Sequence, residues 1–230
     1  MFFLNLKPCF REEIQKCRLL FDYALENHSI KMDIVDIGGG FTGLEVEDEL
    51  FRETATIINS SLDEFFPSSR FGHVKIIAEP GRFLCESALT ICTKIIAKST
   101  LQSEESVQCQ AIPDNLDTSK TLMYYLNCGF YSGFMYIDPR NRPVRLHKKS
   151  HEDKDDRVYL STLWGPTCDS LDVLLRHKYL PEYDVDEYLL FRDMGAYSNV
   201  VATSFNSFSV PILFYAAFEK FKLYKKAFDI

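Results

Sequence analysis

Apolar residues recur at helical spacing over residues 8–28, where Phe10, Ile14, Cys17, Phe21, Ala24 and Leu25 fall on one side. A short apolar run follows, Met32-Asp33-Ile34-Val35-Asp36-Ile37, and ends in Gly38-Gly39-Gly40. The pattern then predicts a second amphipathic helix over about 46–66, with Leu50, Ile57, Ile58, Leu62 and Phe65 on one side; Pro67 and two serines stop it. The run Val74-Lys75-Ile76-Ile77-Ala78 predicts a second buried strand, leading into Glu79-Pro80-Gly81-Arg82. Helix, strand, helix, strand with near-continuous apolar strands predicts part of a parallel α/β layer.

After about Ser87 the period changes. Segments rich in Thr, Tyr, Phe, Ile and Val recur between turn signals at 89–97, 121–126, 134–137, 158–163, 188–191 and 211–216. They predict strands of a mainly antiparallel β domain. The polar stretch 103–119 and the almost wholly charged stretch 148–157 read as solvated loops. The expected organisation is a partial (β/α) unit over residues 1–87 and a β domain over 88–230. About two βα units do not close a barrel, so the edge strands and apolar faces of the first unit are expected to be exposed.

Composition narrows the function. The 230 residues carry 26 Lys and Arg against 33 Asp and Glu, a net charge of −7, which disfavours a general nucleic-acid binder. No stretch approaches the roughly 20 apolar residues of a membrane span. The apolar start, Met1 to Phe10, has no basic lead and no small-residue cleavage site, so a signal peptide is not expected. Seven cysteines, none paired at CxxC spacing, fit a reducing cytoplasm rather than a disulfide framework or zinc site. The five histidines show no metal-ligand spacing, and no metal is expected.

Four short motifs carry candidate chemistry. Gly38-Gly39-Gly40 after a strand lets backbone N–H groups approach a phosphate, although such a triplet also serves as a plain turn. Glu79-Pro80-Gly81-Arg82 places charges at a strand's C-terminal end, where α/β proteins put ligand chemistry. Its carboxylate suits a heterocyclic N–H and its guanidinium a phosphate; a Glu–Arg pair closing the turn fits as well. Trp164-Gly165-Pro166-Thr167-Cys168-Asp169 puts a cysteine beside a carboxylate, either a proton donor or a buried structural thiol. In Met194-Gly195-Ala196-Tyr197 the tyrosine is a phosphate contact or a core residue.

Taken together and in order, these motifs resemble the fold-type III pyridoxal-phosphate-dependent amino-acid decarboxylases, and among them the eukaryotic ornithine decarboxylases. Residues 87–99, 124–129 and 203–208 look similar too, so the resemblance runs from about Pro8 to Phe218. It implies the C-terminal portion of a (β/α)₈ barrel followed by a β-sandwich-like domain. By the same resemblance, Gly38, Gly39 and Gly40 cradle the pyridoxal 5′-phosphate group, with Arg82 and Tyr197 as further phosphate contacts. Glu79 pairs with the pyridine nitrogen. Cys168 is the proton donor to the α-carbon. Asp169, with Asp138 as its partner, holds the distal ammonium of L-ornithine. The product would be putrescine, and the family shares its active sites across a homodimer.

Departures accompany the resemblance. No lysine here stands in the context of the family's Schiff-base lysine, and the family's antizyme-binding region has no counterpart. Cys128 occupies the place of an aspartate in an Asn-Asp-Gly triplet, and Phe83-Leu84 that of an aromatic pair. The chain is therefore expected to be inactive alone. The alternatives are a non-catalytic regulatory homologue of the antizyme-inhibitor type, a decayed paralogue, or a fragment that completes one active site of a full-length subunit. A preference for lysine, arginine or diaminopimelate instead of ornithine is a further alternative.

Overall fold

The computed structural model describes residues 6–102, 113–135, 144–147 and 157–215. It begins with α1 (Leu6–His28), β1 (Ile34–Asp36), α2 (Asp48–Phe65), α3 (Ser68–Phe71), β2 (Lys75–Ile77) and α4 (Gly81–Cys85). Strands β1 and β2 pair in parallel, with Asp36 opposite Ile77. Helices α1 and α2 bury Ile14, Phe21, Ile58 and Phe66 around Val35 of β1. The buried hydroxyls of α2 are satisfied within the helix: Thr54 donates to the Leu50 carbonyl and Ser61 to that of Ile57.

The two strands are shorter than the apolar runs predicted, and only Val35 is buried, at 2% exposure. Ile34 is 50% exposed and Ile76 39%. The expectation of buried strands thus holds for Val35 and is corrected for Ile34 and Ile76, because a two-stranded ribbon has no neighbouring strands to cover them. Exposure of Ile34 and Ile76 on the strands and of Leu19, Leu20 and Tyr23 on α1 agrees with the expectation of exposed apolar surface in this unit.

The second half forms a mixed sheet of β3 (Ile91–Gln102), β4 (Leu116–Leu126), β5 (Val144–His147), β6 (Val158–Trp164), β7 (Val173–Pro181) and β8 (Tyr188–Phe191). The order is β5-β8-β3-β4-β6-β7. Pairings are antiparallel except β4 with β6, which is parallel. The β3 strand changes partner along its length: residues 91–94 pair with β8, and 95–102 with β4 past an irregularity at Ile95/Ala97. Such a bulge bends the strand and increases its twist, so one long strand serves both parts of the sheet. These strands join one six-stranded sheet, mainly antiparallel as expected for the second half. Its core includes Ile95, Leu122, Tyr124, Leu126, Leu163, Leu189, Phe191 and Met194.

Two expected strands are not strands over the residues described. Into the run expected at 134–137 the chain makes a 3₁₀ turn at Phe130–Ser132 and then a turn over residues 133–135, while residues 136–137 lie outside the described residues. Phe134 is nonetheless a core anchor, 2% exposed and edge-on to Phe191 at 4.9 Å; its apolar character reflects that anchoring. Residues 211–215 carry no strand, with Pro211 lacking an N–H to donate and Ile212 and Phe214 exposed. The polar stretch 103–119 ends as strand, since β4 starts at Leu116; residues 103–112 and 148–156 lie outside the described residues. The short strand β5 lies just before the charged stretch and had no signal of its own.

On the sheet, Glu182 accepts hydrogen bonds from Lys98 and Lys120, both at 2.6 Å, and these hold its carboxyl below the usual range. A carboxylate whose folded pKa is depressed adds stability above its unfolded pKa and loses it as pH falls through the folded value. Thermal melting from pH 7 to pH 3 should therefore show the gap between wild type and Glu182→Gln closing below about pH 4.5, the carboxyl's ordinary value. A gap independent of pH would contradict the ionic origin of this contact.

Candidate active site

Parallel pairing of β1 and β2 sets their C-terminal ends side by side, and each ends in a sequence-predicted motif. The Asp36 carboxylate accepts from the Gly38 N–H at 2.8 Å, an Asx turn that starts the glycine loop. Gly38 and Gly40 take φ of +69° and +88°, a region that suits glycine, and no atom lies within 4 Å of where a Cβ would stand. Gly39 differs: a Cβ there would lie 2.4 Å from the Glu79 carbonyl oxygen. The Glu79 N–H donates to the Gly38 carbonyl at 2.7 Å, so the glycine turn and the Glu-Pro-Gly-Arg turn form one surface with Glu79 exposed on it.

Arg82, in α4, and Tyr197 are 115 residues apart in the chain, yet the guanidinium carbon lies 5.3 Å from the Tyr197 ring centroid. Two anchors bring them together. The Gly195 N–H donates to the Glu86 carbonyl at 2.8 Å, and the Met194 N–H to that of Leu89 at 2.9 Å. Tyr197 itself takes φ of +57°, unusual for a tyrosine, while Ser198 behind it is buried and its hydroxyl donates to the Met194 carbonyl. Arg82 Nη1 donates to Glu86 Oε1 at 2.8 Å; the arginine side chain is 14% exposed and the glutamate 2%. The alternative of a Glu79–Arg82 pair closing the turn is not what the arginine makes: it pairs with Glu86.

Cys168 and Asp169 lie in the loop between β6 and β7, in a second cluster. Cys168 is exposed, and the Asn206 amide donates to its Sγ at 3.9 Å. Asp169 accepts from the Leu171 N–H at 2.9 Å and from the Tyr131 hydroxyl. The Leu171 bond, then the Tyr131 bond, hold its carboxyl below the usual range, and the same contact pushes the Tyr131 phenol up. Tyr131 stacks on Phe205 at 4.1 Å, and its carbonyl accepts from the Thr203 N–H at 2.8 Å. The segment from Gly195 to Asn206 therefore runs from the Arg82 cluster to the Cys168 cluster. Asp138 lies outside the described residues.

Asp172 builds the loop that presents Cys168. It is 1% exposed; one carboxylate oxygen accepts from the Phe130 N–H at 2.7 Å, the other from the Thr167 N–H at 2.9 Å. Gly129 and Gly165 pack on it so closely that a Cβ on either would fall within about 2.1 Å of Oδ1. Cys128, beside this turn, is buried, and burial pushes its thiol up. Sequence reasoning missed Glu86, Tyr131, Asp172 and Asn206 as site-building residues. Asp172 alone had a signal, its place three residues past Asp169 in the same motif.

Among the described residues there is no metal-holding group of three or more His, Cys, Asp or Glu, and no helix is long and apolar enough to cross a membrane. Residues 34–195 match the family model of the pyridoxal-dependent decarboxylases, C-terminal sheet domain. Ornithine decarboxylase of Mus musculus is 39% identical over 208 residues, covering 90% of this chain and 43% of that protein. Antizyme inhibitor 2 of Xenopus laevis is also 39% identical, over 209 residues, covering 90% of this chain and 44% of its own length. The crystal structure of the Paramecium bursaria Chlorella virus arginine decarboxylase bound to agmatine superposes with a TM-score of 0.67 at 29% identity, covering 88% of this chain and 49% of that one. The chain thus spans less than half the length of the curated relatives it matches. With the sheet domain, the ordered motifs and these likenesses in agreement, the chain belongs to the pyridoxal-dependent decarboxylase family.

Proposed function

We propose that this chain carries cofactor-holding and proton-donating residues of a decarboxylase that converts L-ornithine to putrescine and CO₂ with pyridoxal 5′-phosphate. The observation that supports it best is the meeting of Arg82 with Tyr197 across 115 residues of sequence. The residues present fit the cofactor: the glycine turn leaves open space at Gly38 and Gly40, and Glu79 stands exposed beside it. When bound, the cofactor supplies an electron sink for the charge left as CO₂ departs.

The chain's own residues do the rest. Gly38, Gly39, Gly40, Arg82 and Tyr197 hold the phosphate group, and Glu79 keeps the ring nitrogen protonated. Cys168 delivers a proton to the α-carbon, and Asp169, with Asp138 as partner, accepts the distal ammonium. Asp169 suits that role, because its bonds from Leu171 and Tyr131 favour the ionised form at neutral pH. We take residues 1–87 and 88–230 as two units with separate cores, working in the cytoplasm. Cys168 and Asp169 serve the partner subunit's cofactor, in a homodimer or beside a full-length subunit.

A second reading, a non-catalytic homologue of the antizyme-inhibitor type with antizyme as a partner, is favoured by the equal identity to antizyme inhibitor 2. One experiment separates them. The chain is mixed with a full-length family decarboxylase whose own proton-donor cysteine is replaced by alanine. Release of CO₂ from carboxyl-labelled ornithine should return, and should vanish again with Cys168→Ala in this chain. Cofactor retention in equilibrium dialysis without any rescue would favour the non-catalytic reading; neither cofactor retention nor rescue would overturn the proposal.

A further inference from the structure

We infer that Glu86 is a built-in anion that competes with the phosphate group for Arg82 and so lowers the affinity of this site for phosphorylated ligands. The inference rests on the reading of Gly38–Gly40, Arg82 and Tyr197 as a phosphate site. Glu86 lies four residues past Arg82 and is 2% exposed. Its Oε1 accepts from Arg82 Nη1 at 2.8 Å, and its Oε2 accepts from the Gly43 N–H at 2.8 Å. Its main-chain carbonyl accepts from the Gly195 N–H. One residue thereby touches the loop that continues from the glycine turn, the arginine, and the segment that carries Tyr197.

A buried carboxylate in hydrogen-bonding contact with a guanidinium cancels most of the positive charge that would attract a second anion. A phosphate bound at Arg82 would share that one guanidinium with Glu86. Two anions on a single planar cation repel each other, and in a part-buried site the repulsion is only weakly screened. Glu86 orients the arginine, and the full charge is not needed for that: a neutral amide oxygen also accepts from Arg82, and the Tyr197 ring still flanks the guanidinium. Removing the charge while keeping the oxygen should therefore strengthen phosphate binding.

The test measures binding of pyridoxal 5′-phosphate, and of pyridoxal as the phosphate-free control, by equilibrium dialysis. Glu86→Gln should bind pyridoxal 5′-phosphate about tenfold more tightly than the wild type, with pyridoxal unchanged. The gain should disappear when Arg82→Ala is added. Equal or weaker binding by Glu86→Gln, with Arg82→Ala weakening the wild type, overturns the inference and leaves the phosphate site standing. An Arg82→Ala chain that binds like the wild type overturns the phosphate site and the inference with it. Circular dichroism checks that each variant folds. Should Glu86→Gln not fold, Glu86→Ala serves with added formate, which refills the vacated space. Formate should then weaken pyridoxal 5′-phosphate binding by Glu86→Ala and leave the wild type unaffected; no effect on Glu86→Ala overturns the inference.

Discussion

Replacing Gly195 by alanine should destabilise the protein by about 3 kcal/mol and separate Tyr197 from Arg82. A Cβ at this position would lie 1.7 Å from the Cys85 carbonyl oxygen and 3.1 Å from that of Glu86. Both are backbone atoms of α4 and the turn after it, so no side chain can rotate to make room. Relief requires the 194–198 segment to lift off, and with it go the Gly195 and Met194 N–H bonds to Glu86 and Leu89. Met194 is 0% exposed and Ala196 4%, so lifting also uncovers apolar surface. Thermal unfolding read by circular dichroism measures the loss, and equilibrium dialysis with pyridoxal 5′-phosphate measures the effect on the site. A variant with wild-type stability would show that the approach of these two segments is not as close as the structure has it.

The second large effect is expected at Asp172. Truncation to alanine strips the Phe130 and Thr167 N–H groups of their acceptor in a part-buried region. An unsatisfied buried donor costs about 1–3 kcal/mol, and with two part-buried donors Asp172→Ala should lose about 2 kcal/mol or more in urea unfolding. Asp172→Asn keeps one acceptor oxygen and should lose less. The loop from Gly165 to Asp172 is held by the same carboxylate, so alkylation of Cys168 by iodoacetamide should change rate with it. A change within ~0.5 kcal/mol for Asp172→Ala would mean that water or a neighbouring oxygen takes over both donors.

The helices and most strands were legible because each imposes a simple period. The faces of α1 and α2 follow from residues such as Ile14, Phe21 and Ile58, and β8 matches its apolar run at 188–191. Phe134 misled because an apolar residue anchoring a turn and one facing inward from a strand leave the same mark. The candidate site was half legible. Gly38–Gly40, Glu79, Arg82, Cys168, Asp169 and Tyr197 stand in short motifs with distinctive residue types. Glu86 does not, and Asp172, though it closes the Cys168 motif, is like Glu86 an acidic residue near a loop, which ordinarily reads as solvated surface.

By itself the sequence determined the helical faces, the glycine and cysteine loops, and membership of a decarboxylase family through motifs in a fixed order. These are local properties: side-chain chemistry, turn propensity and the periods of helix and strand act over a few residues. Tertiary structure alone decided that Arg82 meets Tyr197, that Glu86 rather than Glu79 takes the arginine, and that a buried carboxylate supports the Cys168 loop. It also decided the parallel pairing of β4 with β6. Those outcomes depend on which segments pack together, and the free energy of burying a charge or closing a contact exists only once the chain has brought its partners into place.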